Sequence, residues 1–174
     1  MPSLTFTETF CMKHIQRLLR HPVWVAVACA PLWTGAAPIE VGTAWQALTL
    51  KDQHEQPVVV GPTTRKVIFA AEKTVSDLVV NALGTQGKTA LARAGAVYVA
   101  DISAMPAIIS RLFALPKLRE LSFPVALAHE AVAVADLPRR AGAATVLTLD
   151  NGQVTQVQYL QTEAQLRQAL ALTP

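Results

Sequence analysis

Alternating hydrophobic and polar positions predict a short β-strand over residues 46–50, and the valines at 58–60 indicate a second short strand. The polar turn at 51–57 separates them, so they form a predicted β-hairpin. A β-branched and aromatic run over 66–71 follows, and it indicates a buried strand in the middle of a sheet.

The spacing of hydrophobic residues changes to the helical period between Thr74 and about Ala94. Lys73 or Thr74 is expected at the N-cap of this first helix. Glycines disfavour the interior of a helix, so an interruption is expected near Gly84 and Gly87.

A second helical pattern begins at Ser103, the expected N-cap, and carries Pro106 in its first turn, where a missing N–H costs nothing. Pro116 is expected to end it. Its apolar residues predict a half-buried helix that covers the sheet, and they are Met105, Ile108, Ile109, Leu112 and Phe113. An alternative is a partner-binding or membrane-surface element, because the same stretch carries the basic residues Arg111, Lys117 and Arg119.

Further strands are predicted at residues 96–100, 123–128, 131–134, 145–149 and 154–160. The pair Asn151-Gly152 is a strong signal for a tight hairpin between the last two. A final helix is expected from Thr162. Helices that alternate with buried strands imply parallel pairing, and the terminal hairpin adds antiparallel strands, so the order predicts an α/β fold with a mixed sheet.

The N-terminus has the parts of a secretory signal: an apolar run at 23–33, small residues after it, and before it the basic residues Lys13, Arg17 and Arg20. Cleavage is expected after Ala36. Met12 is a candidate for the true start, because starting there places the positive charges at the N-terminus. The predicted organisation is a signal peptide at 1–36 and a single domain at 37–174.

Two alternatives to cleavage remain open at this stage. The apolar run could anchor the chain in a membrane, but its roughly 11 residues are fewer than the roughly 20 that span a bilayer. Lipid attachment at Cys29 is the second alternative, although Ala26 stands where a large aliphatic residue is preferred.

Composition narrows the function classes further. The chain has 174 residues and is 52% hydrophobic, which suits one domain with a substantial core. From Ala37 onward, 12 basic residues face 11 acidic ones, so a nucleic-acid partner is not expected. Both cysteines, Cys11 and Cys29, lie in the predicted leader, so the predicted mature protein has no thiol.

The order of elements resembles the thioredoxin-like superfamily, in particular its exported and peroxiredoxin-like branches, which carry an extra N-terminal hairpin. The resemblance covers most of residues 40–172 and rests on the strand 66–70, on the hairpin 145–154 and on the turn 51–54. It implies a three-layer sandwich whose mixed central sheet carries an N-terminal β-hairpin extension.

Thioredoxins carry a Cys-x-x-Cys motif where the central strand meets the next helix, and a cis-proline just before the first strand of the terminal hairpin. Aligned on residues 69–76, the two cysteine positions hold Lys73 and Ser76, and the proline position holds Ala144. Neither an amine nor a hydroxyl can perform dithiol exchange. A cis bond before a non-proline residue costs roughly 2.5 to 4 kcal/mol, so the Ala143–Ala144 bond is expected to be trans.

A second resemblance is to small exported bacterial proteins often labelled "FAD/FMN-containing dehydrogenase", and it rests on residues 96–106 and 112–117. That label implies a flavin-linked oxidoreductase. The chain has no Gly-x-Gly-x-x-Gly after a strand, however, so a dinucleotide fingerprint is missing. No cofactor is therefore predicted.

Ligands of open α/β sheets bind beyond the carboxyl ends of the strands. That rule gathers six candidate ligand-edge residues: Glu72, Lys73, Ser76, Asp101, Ser103 and Thr145. No catalytic residue and no metal ligand is predicted, because the scattered histidines lack converging partners. Together these points predict a periplasmic or secreted domain without redox activity. It either binds an unidentified protein or small molecule of the cell envelope or takes part in an envelope assembly. A flavin-linked oxidoreductase is the alternative.

Overall fold

The computed structural model describes residues 38–172. The predicted leader, its expected cleavage site after Ala36 and both cysteines lie outside the described residues, so those expectations stay predictions.

Seven strands form one mixed sheet in the order β2-β1-β5-β4-β3-β6-β7. They are β1 Leu48–Lys51, β2 Pro57–Val60, β3 Lys66–Ala70, β4 Ala96–Asp101, β5 Ala126–Ala128, β6 Ala144–Asp150 and β7 Gln153–Leu160. Strands β3, β4 and β5 run parallel, whereas β1 and β6 pair antiparallel with their neighbours in the sheet. The predicted N-terminal hairpin is confirmed as β1–β2, and the predicted terminal hairpin as β6–β7.

The helices are α1 Lys73–Leu83, α2 Gly87–Ala94, α3 Ala107–Ile109, α4 Leu115–Arg119 and α5 Glu163–Ala169. A 3-10 turn at Gly84–Gln86 separates α1 from α2, as the two glycines predicted. A π-helical turn at Ser110–Ala114 joins α3 to α4, and we refer to residues 107–119 as the α3–α4 segment.

Two hydrophobic cores lie on opposite faces of the sheet, because successive strand residues point to opposite sides. Ile68 packs with α1, α2, α5 and Leu115 of α4 on one face, and the neighbouring Phe69 faces the other core. The second face is covered by segments without an α-helix, which contribute Ile39, Trp45, Val134 and Leu137.

Gly87 allows the turn between α1 and α2 to pack closely on the chain before β5. A Cβ atom at Gly87 would lie 2.2 Å from Cδ1 of the buried Phe123, far inside a normal contact. Any larger residue here would therefore push Phe123 out of the core.

Three details differ from the sequence prediction. Residues 131–134 form a 3-10 turn and not a strand, because Val134 and Leu137, three residues apart, share the buried side while Val132 is exposed. The third parallel strand is shorter than expected, since the Val125 amide donates to the side chain of Gln53. The N-cap of α1 is Glu72 and not Lys73 or Thr74.

The α3–α4 segment departs most from prediction. It begins at Ala107, with Pro106 and not Ser103 at its N-cap, and Pro116 starts α4 instead of ending the helix. The apolar face that was expected to cover the sheet is largely exposed, with Ile108 at 66%, Leu112 at 63% and Phe113 at 67%. The π turn breaks the 3.6-residue period on which the prediction rested, because its hydrogen bonds run from i to i+5.

Candidate functional site

The first part of the candidate site is the junction between β3 and α1. Glu72 caps the helix by its backbone, and its side-chain Oε1 accepts a hydrogen bond of 3.4 Å from the Gly142 amide. Lys73 Nζ lies 2.5 Å from Asp77 Oδ2 in an exposed ion pair one turn along the helix. The positive charge of Lys73 thus has a partner on its own helix.

Ser76 connects α1 to the middle of the sheet. Its Oγ lies 2.7 Å from the hydroxyl of Tyr98, which is fully buried on β4. Burial raises the pKa of Tyr98 well above its ordinary value of 10.0, and the hydrogen bond to Ser76 offsets only part of that rise. Tyr98 is therefore neutral at physiological pH and serves as a hydrogen-bonding anchor for α1.

Asp101 ends β4 and is the most highly connected acidic residue of the site. Its Oδ1 accepts from both the amide and the hydroxyl of Ser103, at 2.9 and 2.7 Å. Its Oδ2 lies 2.9 Å from a guanidinium nitrogen of Arg139, with the Asp101 side chain only 5% exposed. The nearly buried carboxylate is thus compensated from two directions.

Arg139 is a site residue that the sequence reasoning missed. Besides pairing with Asp101, it donates to the Val134 carbonyl oxygen at 3.0 Å, and its guanidinium carbon lies 5.3 Å from the centroid of the Phe69 ring. The rule of strand carboxyl ends could not find it, because Arg139 lies in the loop before β6. The only sequence signal for Arg139 was a basic residue in a loop that leads into a strand of the sheet.

A cavity of about 400 Å³ lies between α1, the end of β4 and the α3–α4 segment. Its apolar wall includes Val80, Ile102, Met105 and Leu118. The polar residues of its lining are Glu72, Lys73, Ser76, Asp77, Asn81, Asp101 and Lys117. The arrangement can accommodate a ligand with an apolar body that also carries polar or charged groups.

Four of the six predicted ligand-edge residues line this cavity, namely Glu72, Lys73, Ser76 and Asp101. Ser103 is held against Asp101 and is not part of the lining. Thr145 is buried away from the cavity, and its hydroxyl donates to the Pro138 carbonyl oxygen at 2.7 Å. A role of any of them in ligand binding stays a prediction.

Within residues 38–172, no group of three or more His, Cys, Asp or Glu side chains is arranged to hold a metal ion. His54 and His129 are both exposed. No described helix is long and apolar enough to cross a membrane.

Comparison with known proteins relates the chain to solved structures alone. No protein-family model matches it, and no curated protein matches it. Among the solved structures, 63 chains match. A peroxidoxin, BcpB, from Mycobacterium tuberculosis is 16% identical with a TM-score of 0.52, and the match covers 77% of this chain and 96% of that one.

Two further solved structures match the chain at similarly low sequence identity. The thioredoxin domain of a thiol-disulfide oxidoreductase from Bacteroides vulgatus is 10% identical, with a TM-score of 0.50 over 76% of this chain and 99% of that one. StoA from Bacillus subtilis is 12% identical, with a TM-score of 0.50 over 71% and 95% of the two chains. The fold is thioredoxin-like. The predicted α/β class and the predicted thioredoxin-like fold are thereby confirmed.

The junction of β3 and α1 is the place at which the resemblance puts the redox motif of thioredoxins. In this chain the two aligned positions, Lys73 and Ser76, are engaged with Asp77 and Tyr98. Every peptide bond between residues 38 and 172 is trans, so the Ala143–Ala144 bond has the expected geometry.

Proposed function

We propose that this chain is an exported thioredoxin-like domain that works without a redox thiol, as a binding protein of the cell envelope. The observation that carries the proposal is the replacement of both aligned cysteine positions by Lys73 and Ser76. Residues 38–172 contain no cysteine, so the domain has no thiolate for disulfide exchange or for attack on a peroxide.

The contacts of the two replacing residues support the proposal. Lys73 is held in an ion pair and Ser76 is hydrogen-bonded to a buried tyrosine, so both have a structural use at this edge. The binding site of the proposed function is the adjacent cavity, with Glu72 and Asp101 among its polar lining residues. Its occupant is an unidentified small molecule or a segment of a partner protein.

The redox part of the proposal is tested by insulin reduction with dithiothreitol and by peroxide consumption. We expect the full chain to give the rate of the protein-free control in both assays. The double variant Lys73→Cys/Ser76→Cys is the positive control, because it restores a Cys-x-x-Cys spacing at the helix start. Turnover by the unmodified chain that disappears in Cys11→Ser/Cys29→Ser would contradict the proposal, since it would assign thiol chemistry to residues outside the domain.

We propose export by cleavage near Ala36, with lipid attachment at Cys29 and an uncleaved anchor as the competing outcomes. Mass spectrometry of the protein recovered from the cell envelope distinguishes the three by the identity and modification of the first residue. A chain that still begins at Met1 or Met12 would contradict cleavage.

The flavin-linked alternative gains no support from the three solved structures named above. None of them is described as a flavoprotein. A visible absorption spectrum of the purified protein, before and after incubation with flavin mononucleotide, tests it directly. A flavin spectrum that survives gel filtration would revive that alternative.

A further inference from the structure

The α3 helix and the π turn after it are exposed almost throughout. Of the seven residues from 107 to 113, only Ser110 is buried, so side chains on nearly every side of this turn reach solvent. The large apolar ones are Ile108, Ile109, Leu112 and Phe113. We call residues 107–113 the apolar turn. Exposed apolar side chains grouped in this way mark an interaction surface.

The charged residues of the α3–α4 segment all have one sign. No acidic residue occurs between Asp101 and Glu120, whereas the α3–α4 segment carries Arg111, Lys117 and Arg119. Arg119 donates to the Gln53 backbone oxygen at 2.9 Å and is directed toward the N-terminal hairpin. Arg111 and Lys117 form no salt bridge with any residue of the described domain, so their charges are available to an anionic partner.

We propose that the apolar turn inserts into the interfacial region of an anionic lipid bilayer, with Arg111 and Lys117 at the headgroup phosphates. The proposal rests on the proposed location in the cell envelope, which places the domain beside membrane surfaces. It assigns the occupant of the apolar turn and leaves the ligand of the neighbouring cavity unassigned.

Shape and charge favour a bilayer over a protein groove. A turn that exposes apolar side chains on several sides is covered completely when it is immersed in fluid acyl chains. Basic residues beside an apolar helical surface, with aromatic and leucine side chains among the inserted groups, are typical of helices that lie in the membrane interface. Attraction to anionic headgroups adds to the burial of apolar surface and depends on salt.

Co-sedimentation with vesicles tests the proposal on the form of the protein recovered from the cell envelope. We expect binding to vesicles of equal parts phosphatidylcholine and phosphatidylglycerol, and weaker binding to phosphatidylcholine alone or at high salt. Leu112→Ser/Phe113→Ser should lower the partition coefficient by about tenfold or more, because each inserted side chain contributes apolar burial. Arg111→Gln should give a smaller loss, confined to the anionic vesicles.

Val132→Ser is the matched control, because Val132 is 75% exposed and lies outside the α3–α4 segment. All variants share one N-terminus, so a difference between them reports on the apolar turn. Equal binding of the unmodified protein and Leu112→Ser/Phe113→Ser would overturn the proposal, and so would the absence of binding to both kinds of vesicle. A protein captured through Phe113 without vesicle binding would assign the surface to a protein partner instead. None of these results changes the outcome of the insulin and peroxide assays, so the two proposals fail separately.

Discussion

Helix α1 and the α3–α4 segment both follow a parallel strand and line the same cavity, yet they use their apolar residues in opposite ways. In α1, Val75, Val79 and Leu83 are buried against the sheet, as the helical period predicts. In the α3–α4 segment, an equally regular apolar pattern points largely to solvent, and the buried positions are Ser110 and Leu115. Periodicity therefore identifies which side chains share a helix face, but not whether that face is covered.

The backbone explains why the two helices differ. Helix α1 runs for 11 residues of uninterrupted α-helix, so one face stays on the sheet along its whole length. The α3–α4 segment changes its hydrogen-bonding pattern at residue 110 and again at 115, and only its α4 end packs on the core, through Leu115 and Leu118. One wall of the cavity is thus part of the core, and the other is attached to it mainly through α4.

The comparison is tested most strongly by the same substitution on each helix. Leu83→Ala should reduce the free energy of unfolding by about 2–5 kcal/mol, because it leaves a cavity in the core. Leu112→Ala should change it by less than about 0.5 kcal/mol, because the side chain is exposed. Urea denaturation followed by circular dichroism measures both values. Equal losses would mean that the apolar turn packs in solution.

A second prediction concerns Arg139, which pairs with Asp101 at the end of β4, just before the chain continues into the α3–α4 segment. Arg139→Gln should lower the free energy of unfolding by about 1–3 kcal/mol, because it removes the charged partner of a nearly buried carboxylate. Arg140→Gln is the control, since Arg140 stacks on the Tyr159 ring with its guanidinium carbon 4.5 Å from the centroid and is not paired with an acidic residue in the described domain.

In a double-mutant cycle, Asp101→Asn should reduce the cost of Arg139→Gln, because the charge that needed compensation is gone. Additive losses in the cycle would show that the ion pair contributes nothing and that Arg139 acts through its packing on Phe69.

The hydrogen bond between Ser76 and Tyr98 is expected to make a smaller contribution to the free energy of unfolding, and the burial of Tyr98 makes this stability depend on pH. Tyr98→Phe should cost about 0.5–1.5 kcal/mol near neutral pH. Because burial raises the pKa of Tyr98, the unfolded chain loses this proton at a lower pH than the folded protein does. Stability should thus fall as pH rises above about 10, by up to roughly 1.4 kcal/mol per pH unit from this residue.

Tyr98→Phe should flatten that alkaline decline, and Tyr159→Phe, on the half-buried surface of β7, is the control. Thermal unfolding across the alkaline range measures the difference between the two variants. An identical decline in Tyr98→Phe and the unmodified protein would contradict the assignment of this titration to Tyr98.

The smallest expected effect is at the first turn of α1. Lys73→Ala should change the free energy of unfolding by no more than about 0.5 kcal/mol, because the Lys73–Asp77 pair is exposed. Lys51→Ala removes the other exposed pair with the same spacing, to Glu55 in the N-terminal hairpin, and should behave alike. A loss of several kcal/mol at Lys73 alone would reveal that this pair holds α1 in place.

Local signals were enough to predict most of the fold. The pair Asn151-Gly152 adopts the positive φ angles of 47° and 76° that its hairpin requires, and Thr162 forms a capping box with Gln165 at the start of α5. The strands of the sheet and the break at Gly84 followed from residue spacing in the same way. The prediction failed in the α3–α4 segment, because the spacing of its residues does not show that the backbone hydrogen bonds change to a π turn.

The candidate site was predictable only where topology alone gathers residues. Glu72, Ser76 and Asp101 follow adjacent parallel strands, so the edge rule brought them together. Arg139 was not predicted, because its position depends on how the loop before β6 folds back across the end of β4. Thr145 was included by the same rule, but its side chain is buried and donates to the Pro138 carbonyl oxygen in the loop before β6.

The buried side chain of Gln53 has a consequence for the order in which the chain folds. Its amide nitrogen donates to the Phe123 carbonyl oxygen at 2.9 Å, and its Oε1 accepts from the Val125 amide at 2.9 Å, across 70 and 72 residues of sequence. A ribosome delivers the N-terminal hairpin long before it delivers those partners. The entropy cost of closing so long a loop must be met before these hydrogen bonds can form. We therefore expect the hairpin to join the sheet late, after β3, β4 and β5 have paired.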